Sequence, residues 1–420
     1  MRSSLSREWW FLLRDRQAVA TIVAAFLLAT VAVGMGLRDV ALQEEEIAAL
    51  ESSTVEDLRV TLADQPDSGS AAYYAFRLAY DPPSELAFAA KGVRDDLPWK
   101  HRVRILALEG QIYETDAGNP ELGQVGRFDY AFLISVLAPL LVILLVHDIV
   151  DGERRGNRLD LLEATAGSAK SLFSSRALLK ASVLGIALLI PFVAAAVWSG
   201  SSAVDIVLLI AVTLGYLLLW TLVSLWVARR MDAGATTAAA LLGVWALTVL
   251  AIPLTTAALA ERWVQLPEGG EILLAQRETV NRAWDLPKAD TMDAFVASHP
   301  EWADHADMPT PWDWKWYYAF QQVGDESVAD MSAALREGVR RRDQIMQRAA
   351  LVSPPLFVDR FFTRRAGTDL RAFQQYESCV RDFHESLRRA HYPMLFGVEP
   401  YDPEPLLQLD SSRNCAQPAS

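Results

Sequence analysis

Residues 147–167, "HDIVDGERRGNRLDLLEATAG", set paired charges ahead of a leucine-rich stretch. Glu153, Arg154, Arg155 and Arg158 offer charge matching and orientation to a partner surface. Leu159, Leu161 and Leu162 offer apolar area, and each leucine moved from water into a groove stabilises by roughly 1.5–3 kcal/mol. The segment follows directly on "FLISVLAPLLVILLV", so little of its own loop is at hand to cover those leucines. Either they lie among lipid headgroups or they dock into a cytosolic partner.

Other constellations hold less chemistry. "SHPEWADHADMP" brings His299, Asp304, His305 and Asp307 close together, but the spacing matches no common metal template, and a solvated loop is expected. "AGSAKS" at 166–171 has a lysine but lacks the glycine spacing of a phosphate loop, so the chain cannot hydrolyse ATP by that route. HExxH, GxSxG and CxxC are absent, and neither catalytic residue nor metal nor cofactor is assigned. Trp312, Trp314 and Trp316 could form a stacking surface, a membrane-interface belt, or a face buried against another part of the chain. Arg340, Arg341 and Arg342 read as the wet face of a helix, with a lipid-phosphate contact as the alternative. Cys379 and Cys415 are the two cysteines of the chain, and both fall late in it. An oxidising compartment favours joining them. A bridge would tie a polar tail to an amphipathic helix.

These residues must be positioned by a chain of 420 residues that is 52% hydrophobic, with a net charge of −13 and a slightly positive mean hydropathy. That balance implies a protein part membrane and part soluble. Five stretches can cross a hydrocarbon core of ~30 Å: residues 17–37, 130–149, 178–198, 203–228 and 235–260. The first has no convincing cleavage site and is expected to stay as a span. The fold class is therefore mainly α, a polytopic membrane protein with two mostly helical segments outside the bilayer.

Basic residues orient it. Arg2, Arg7, Arg14 and Arg16 flank the first span, Arg154 to Arg176 the second and third, and Arg229 and Arg230 the fifth. All fall on one side if the N-terminus is cytoplasmic. Segments 38–128 and 261–420 then lie outside, with net charges of −8 and −7. Acidic segments argue against nucleic acid as a partner.

Residues 1–16 read as an interfacial helix or as an inward extension of span one. Segment 38–128 opens as a helix and turns irregular, with a candidate strand at "RVRILALEGQIYE"; a small α-rich domain is expected. In segment 261–420, Ser353 is a candidate cap ahead of Pro354. Phe373, Tyr376, Val380, Phe383 and Leu387 make a helical stripe capped by Thr368 or Asp369. Asp205, near the outer end of span four, is expected to reach headgroups or water. In span five, Pro253 frees a backbone carbonyl and Thr255 and Thr256 can satisfy such groups. That bent helix lines a transport path, or is only kinked.

The layout resembles a type-2 ABC transporter permease. In that family the segment after span two runs E-R-E-x-G-T-L-x-L-L-L-x-x-P, and Glu153, Arg154, Leu159, Leu161 and Leu162 match it without gaps. Asn157-Arg158 stands where the family has glycine-threonine, and the proline is replaced near Ala166-Gly167. "REWWFLLRDRQA", "QIYETDAGNPELGQVGRFDYAF" and the "SP…AGTD…F" pattern of residues 351–389 resemble a subfamily with large outer domains and mostly unassigned substrates. The resemblance implies that 150–177 is the coupling-helix loop. It also implies a separate ATPase subunit, a second permease chain and a bacterial inner membrane location. The chain would not itself be an enzyme. The family usually has six spans; five here put the C-terminus on the periplasmic side. The resemblance leaves a second reading, a force-transmitting membrane protein that acts on a periplasmic partner without transport.

Overall fold

A computed structural model describes residues 2–114, 128–157, 169–308 and 310–415. The protein is 76% helical and mainly α, with five helices among the described residues long and apolar enough to cross a membrane. Span 1 is Arg16–Asp64, span 2 Tyr130–Arg155, span 3 Ser171–Trp198, span 4 Ala203–Ala228 and span 5 Gly234–Trp263. Span 1 does not stop at residue 37. Its 49 residues run on as one helix into the polar part of the molecule, about 73 Å at ~1.5 Å per residue. No glycine-proline break interrupts it, so the helix expected after residue 38 is the same helix.

Residues Arg2–Arg14 form a separate helix. The break is at Asp15, whose extended backbone and carboxylate cap span 1 by accepting from the Ala18 amide at 3.0 Å. Trp9, Trp10, Phe11 and Leu13 of that helix are exposed, which suits an amphipathic segment lying along a bilayer surface.

Small residues let the spans approach. Ala25, Ala29 and Ala32 are fully buried on one face of span 1, at the spacing that lets helix backbones close in lipid. Gly36 continues that face, and a Cβ there would run into the Phe88 carbonyl. Two spans carry π-bulges ahead of a proline: Leu133–Leu137 before Pro139, and Leu247–Ala251 before Pro253. Proline cannot donate to the turn before it, and the wider register absorbs the missing bond.

The polar segments fold as one head, not as two domains. A single core takes Val103, Ile105 and Leu108 from the first segment with Trp316, Phe320, Tyr376, Val380 and Phe383 from the second. Among the described residues the head has one sheet of order β2-β1-β3. β1 (Arg77–Tyr80) pairs antiparallel with β2 (Lys100–Val103) and parallel with β3 (Ser412–Asn414). The candidate strand at 102–114 is corrected: only its first residues are extended, and Glu109–Glu114 is helical. The Asp325 carboxylate explains the change. It accepts from the Leu108 and Glu109 amides at 2.9 and 3.0 Å and from Arg388 at 2.7 Å, which turns the chain into the helix. The stripe from Tyr376 to Leu387 is buried in the helix Leu370–Leu395, capped by Asp369. Cys379 and Cys415 are joined by a disulfide. Ahead of β3 the Arg77 guanidinium, almost fully buried, donates to the carbonyls of Leu406, Leu409 and Asp410. The tail is thereby held by a bridge, a strand and a buried cation.

Candidate functional site

The head meets the spans through the helix Pro354–Arg365. Ser353 caps it, accepting from the Leu356 amide. The same hydroxyl donates at 2.7 Å to the Thr248 carbonyl inside the π-bulge of span 5. There the Ile252 amide bonds to Leu247, so the next carbonyl would need an N–H at position 253. Pro253 has none, and Ser353 supplies the donor instead. Phe362 of the same helix packs with Tyr130 of span 2 and Phe192 of span 3, and those two rings stack at 5.0 Å. Residues 84–90 insert beside them. The Ala89 carbonyl accepts from Ala131, and Phe88 packs on Phe192.

A cavity of about 1240 Å³ opens beside this joint. One wall is apolar and comes from the spans: Phe132, Val136, Leu250, Pro253 and Leu254. The other comes from the head and sets ionic groups, Arg342, Asp343, Asp359 and Arg360, among apolar ones such as Val339, Met346 and Phe361. Arg360 pairs with Asp343 at 2.6 Å, and Arg342 donates to the Val264 carbonyl. Asp359 is partly buried and lines the cavity. Burial, with the Asp129 carboxylate near, pushes its pKa up to about 7. The cavity lies where lipid-facing helices become a polar body, so it can take a molecule with an apolar and a charged end.

A second cluster lies at the opposite ends of the spans. Arg176 of span 3 donates to Glu8 of the N-terminal helix at 2.8 Å and to Glu153 at 2.7 Å. Lys180, one turn on, pairs with Asp15 at 3.0 Å. Arg154 donates to the Asp232 carbonyl at 2.6 Å, and Arg155 pairs with Asp151 at 3.0 Å. Asp151 also accepts from the Gly234 amide at the start of span 5, at 2.8 Å. The exit of span 2 is thus tied to the N-terminal helix and to spans 3 and 5. Asn157 ends the turn at φ 51°, a left-handed conformation that asparagine tolerates and glycine adopts freely.

Glu153 thus meets span 3 and Arg154 the loop before span 5, Arg155 pairs within its own turn, and Leu159, Leu161 and Leu162 lie outside the described residues. Pro253 lines the cavity. Thr255 and Thr256 bond back to the Ala251 and Ile252 carbonyls of their own helix at 2.6 and 2.8 Å, while the carbonyl that Pro253 leaves free, that of Thr248, is met by Ser353 instead. His299 is not in an open loop. It ends a helix, stacks on Phe295 and lies 3.6 Å from Glu326, and residues 300–305 form a short 3-10 helix. Among the described residues no group of His, Cys, Asp and Glu could hold a metal. Trp316 is buried, and Trp314 packs on Tyr73 of the first polar segment. Arg340 and Arg341 pair with Glu337 on their exposed face, whereas Arg342 turns inward. Asp205 meets Arg365 of the head at 2.9 Å rather than water alone.

Sequence reasoning missed Glu8, Asp15 and Lys180, and it read Arg176 for topology alone. The available signal was the i, i+4 spacing of Arg176 and Lys180 opposite two carboxylates seven apart. Asp359 and the Ser353–Thr248 bond carried no local signal.

Comparison with known proteins bears on the second polar segment. A family model described as a domain of unknown function (DUF3526) matches residues 270–412. This stretch runs from the helix Gly269–Arg282 to β3 and includes the helix docked on span 5. No curated protein and no solved structure matches the chain. The fold and its junction define a polytopic membrane protein with a helical head. About a third of the chain, most of that head, resembles the DUF3526 domain.

Proposed function

We propose that the chain is the permease subunit of a type-2 ABC transporter in a bacterial inner membrane, with its head periplasmic. A separate ATPase docks on residues 150–177, and a second permease chain completes the membrane unit. The observation that carries this reading is the hold of Arg176 on Glu8 and Glu153. A push delivered to the loop after Glu153 reaches the N-terminal helix and span 3 directly. Through Asp151 and Gly234 it reaches span 5, whose far half lines the cavity. Two further points support it. Asn157 adopts the backbone conformation that suits the glycine of the family's coupling segment. The apolar wall of the cavity belongs to spans 2 and 5, which the push would move.

A second reading has its own observation. The unbroken helix Arg16–Asp64 joins the basic end of the spans to the head without a hinge. Such a rod suits a force-transmitting protein that works on a periplasmic partner and moves nothing across the bilayer.

Leu162→Asp tests the shared part. It places a carboxylate where docking needs an apolar face, at a cost of several kcal/mol by the usual price of burying an unpaired charge. The variant is expected to insert normally and to lose co-purification with its ATPase subunit. Retained binding with full ATP turnover would sink the coupling assignment. ATP-dependent movement of a substrate in proteoliposomes separates transport from force transmission.

A further inference from the structure

We propose that the cavity between the head and spans 2 and 5 binds a single-chain cationic amphiphile, its alkyl chain on the apolar wall and its cationic head at the Asp359 carboxylate. This names the substrate class for the permease reading and rests on that reading only in calling the ligand a substrate.

The apolar side is set by Phe132 and Val136 of span 2 and Leu250 and Leu254 of span 5. Its volume of about 1240 Å³ exceeds the ~300–1,000 Å³ of ordinary small-molecule pockets, so a chain-like ligand fits as well as a compact one. A lipid-soluble tail would leave the bilayer for a wall of the same polarity and lose little.

The sign of the head follows from accounting for the charges. Arg360 is neutralised by Asp343, and Arg342 is turned to the Val264 carbonyl. Lys91 pairs with Asp39 and Asp95, and Arg336 is engaged by Ser332 with Glu109 at 3.9 Å. Both oxygens of Asp129 are taken, by the Phe132 amide at 2.7 Å and the Lys91 amide at 2.9 Å. Glu377 lies beside Arg381. Arg364, Arg371 and Glu261 line the cavity where it is exposed to solvent, so water and salt screen them, and Glu268 and Asp369 are engaged as helix caps. Among the described residues the carboxyl of Asp359 makes no hydrogen bond or ion pair, Arg360 acting on it only through its charge while bonded to Asp343, and it lines the cavity together with Asp129. An anionic head would meet two carboxylates. A cationic head would give the desolvated carboxylate the partner that its surroundings deny it. Ammonium-type heads satisfy this need whatever their substituents.

The probe is dodecyltrimethylammonium carrying a diazirine at its chain end. It is photolysed with the protein in phosphatidylcholine nanodiscs, and labelled residues are mapped by mass spectrometry. Labels are expected on Phe132, Leu250 or Leu254 above the level on the lipid face. Unlabelled dodecyltrimethylammonium should compete, and dodecyl sulfate should not. Asp359→Asn is expected to lower labelling at those residues about tenfold, the effect of losing one enclosed counter-charge. Asp359→Glu should retain it. Leu254→Trp narrows the apolar wall, leaves the carboxyl in place, and should also lower it. Thermal unfolding shows which variants are folded. Unchanged labelling in folded Asp359→Asn overturns the proposal, as does equal competition by dodecyl sulfate or label spread evenly over the lipid face. The assay uses no ATPase, so its failure leaves the coupling reading intact. Failed transport with labelling preserved counts against transport alone.

Discussion

The Ser353 hydroxyl donates at 2.7 Å to the Thr248 carbonyl, a group left without its helical partner because position 253 is proline. One side chain thus caps a head helix and satisfies a bulge in a membrane helix. Where the head sits and where span 5 bends are decided together. Ser353→Ala should cost about 1–3 kcal/mol, the range for a lost cap and an unsatisfied buried carbonyl. Ser353→Thr should keep most of it. Thermal unfolding in detergent reads both. An alanine variant as stable as the parent would mean that the bulge finds its donor elsewhere.

Arg176 is the next point of leverage. Its side chain and those of Glu8 and Glu153 are 16%, 3% and 14% exposed. Arg176→Met keeps the aliphatic stem but removes the cation shared by two enclosed carboxylates, and should destabilise by about 1–3 kcal/mol. Adding Glu8→Gln should return part of that loss, and a double-mutant cycle gives the coupling. Strict additivity would show that the pair is not energetically linked.

The Cys379–Cys415 bridge closes a loop of sequence separation 36. Cys415→Ser is expected to cost roughly 3–4 kcal/mol on the chain-entropy account. Thiol labelling of denatured protein should give no label before reduction and two after. Two free thiols in protein taken from its native membrane would contradict the bridge.

Acid should loosen the head. Burial holds His101 down to about 4 and His391 down to about 3, and it lowers His384 as well. Each is neutral when folded and takes a proton near pH 6.5 when unfolded. The stability they contribute is therefore present above about pH 6.5 and is lost as pH falls toward the folded values. Each group should cost up to about 1.4 kcal/mol per pH unit in that window. Unfolding midpoints between pH 7 and 4.5 check the slope, and His101→Gln should flatten it. The Tyr376 hydroxyl, 2.8 Å from His101, is the hydrogen-bond partner that glutamine would have to reach. Asp359, raised to about 7, acts in the opposite sense over the same window, so the readout is the difference between the parent and His101→Gln, and identical slopes would remove His101 from the account.

What the sequence by itself determined is the part governed by local composition and period. Runs of about twenty apolar residues have no soluble alternative, so the five spans were legible, Ala203–Ala228 to the residue. Caps are equally local, which is why Ser353 and Asp369 could be read from their neighbours. The cysteines were suggestive through compartment chemistry, while their separation of 5.8 Å between Cα atoms is a property of the fold. What only the tertiary structure decided depends on residues far apart in the chain. The two polar segments read as two domains because each has its own helices, yet neither can bury those helices alone. Val103 and Tyr376 need one another's cover. The strand expected at 102–114 ends at Val103 and gives way to a helix at Glu109, where Asp325, more than 200 positions away, offers its carboxylate to two successive amides. Asp359 reads as an ordinary helical carboxylate until the fold encloses it, sets Asp129 near it and bonds the adjacent Arg360 to Asp343. Its chemistry is the product of that enclosure, because desolvation depends on what surrounds a charge in space and not on its neighbours along the chain.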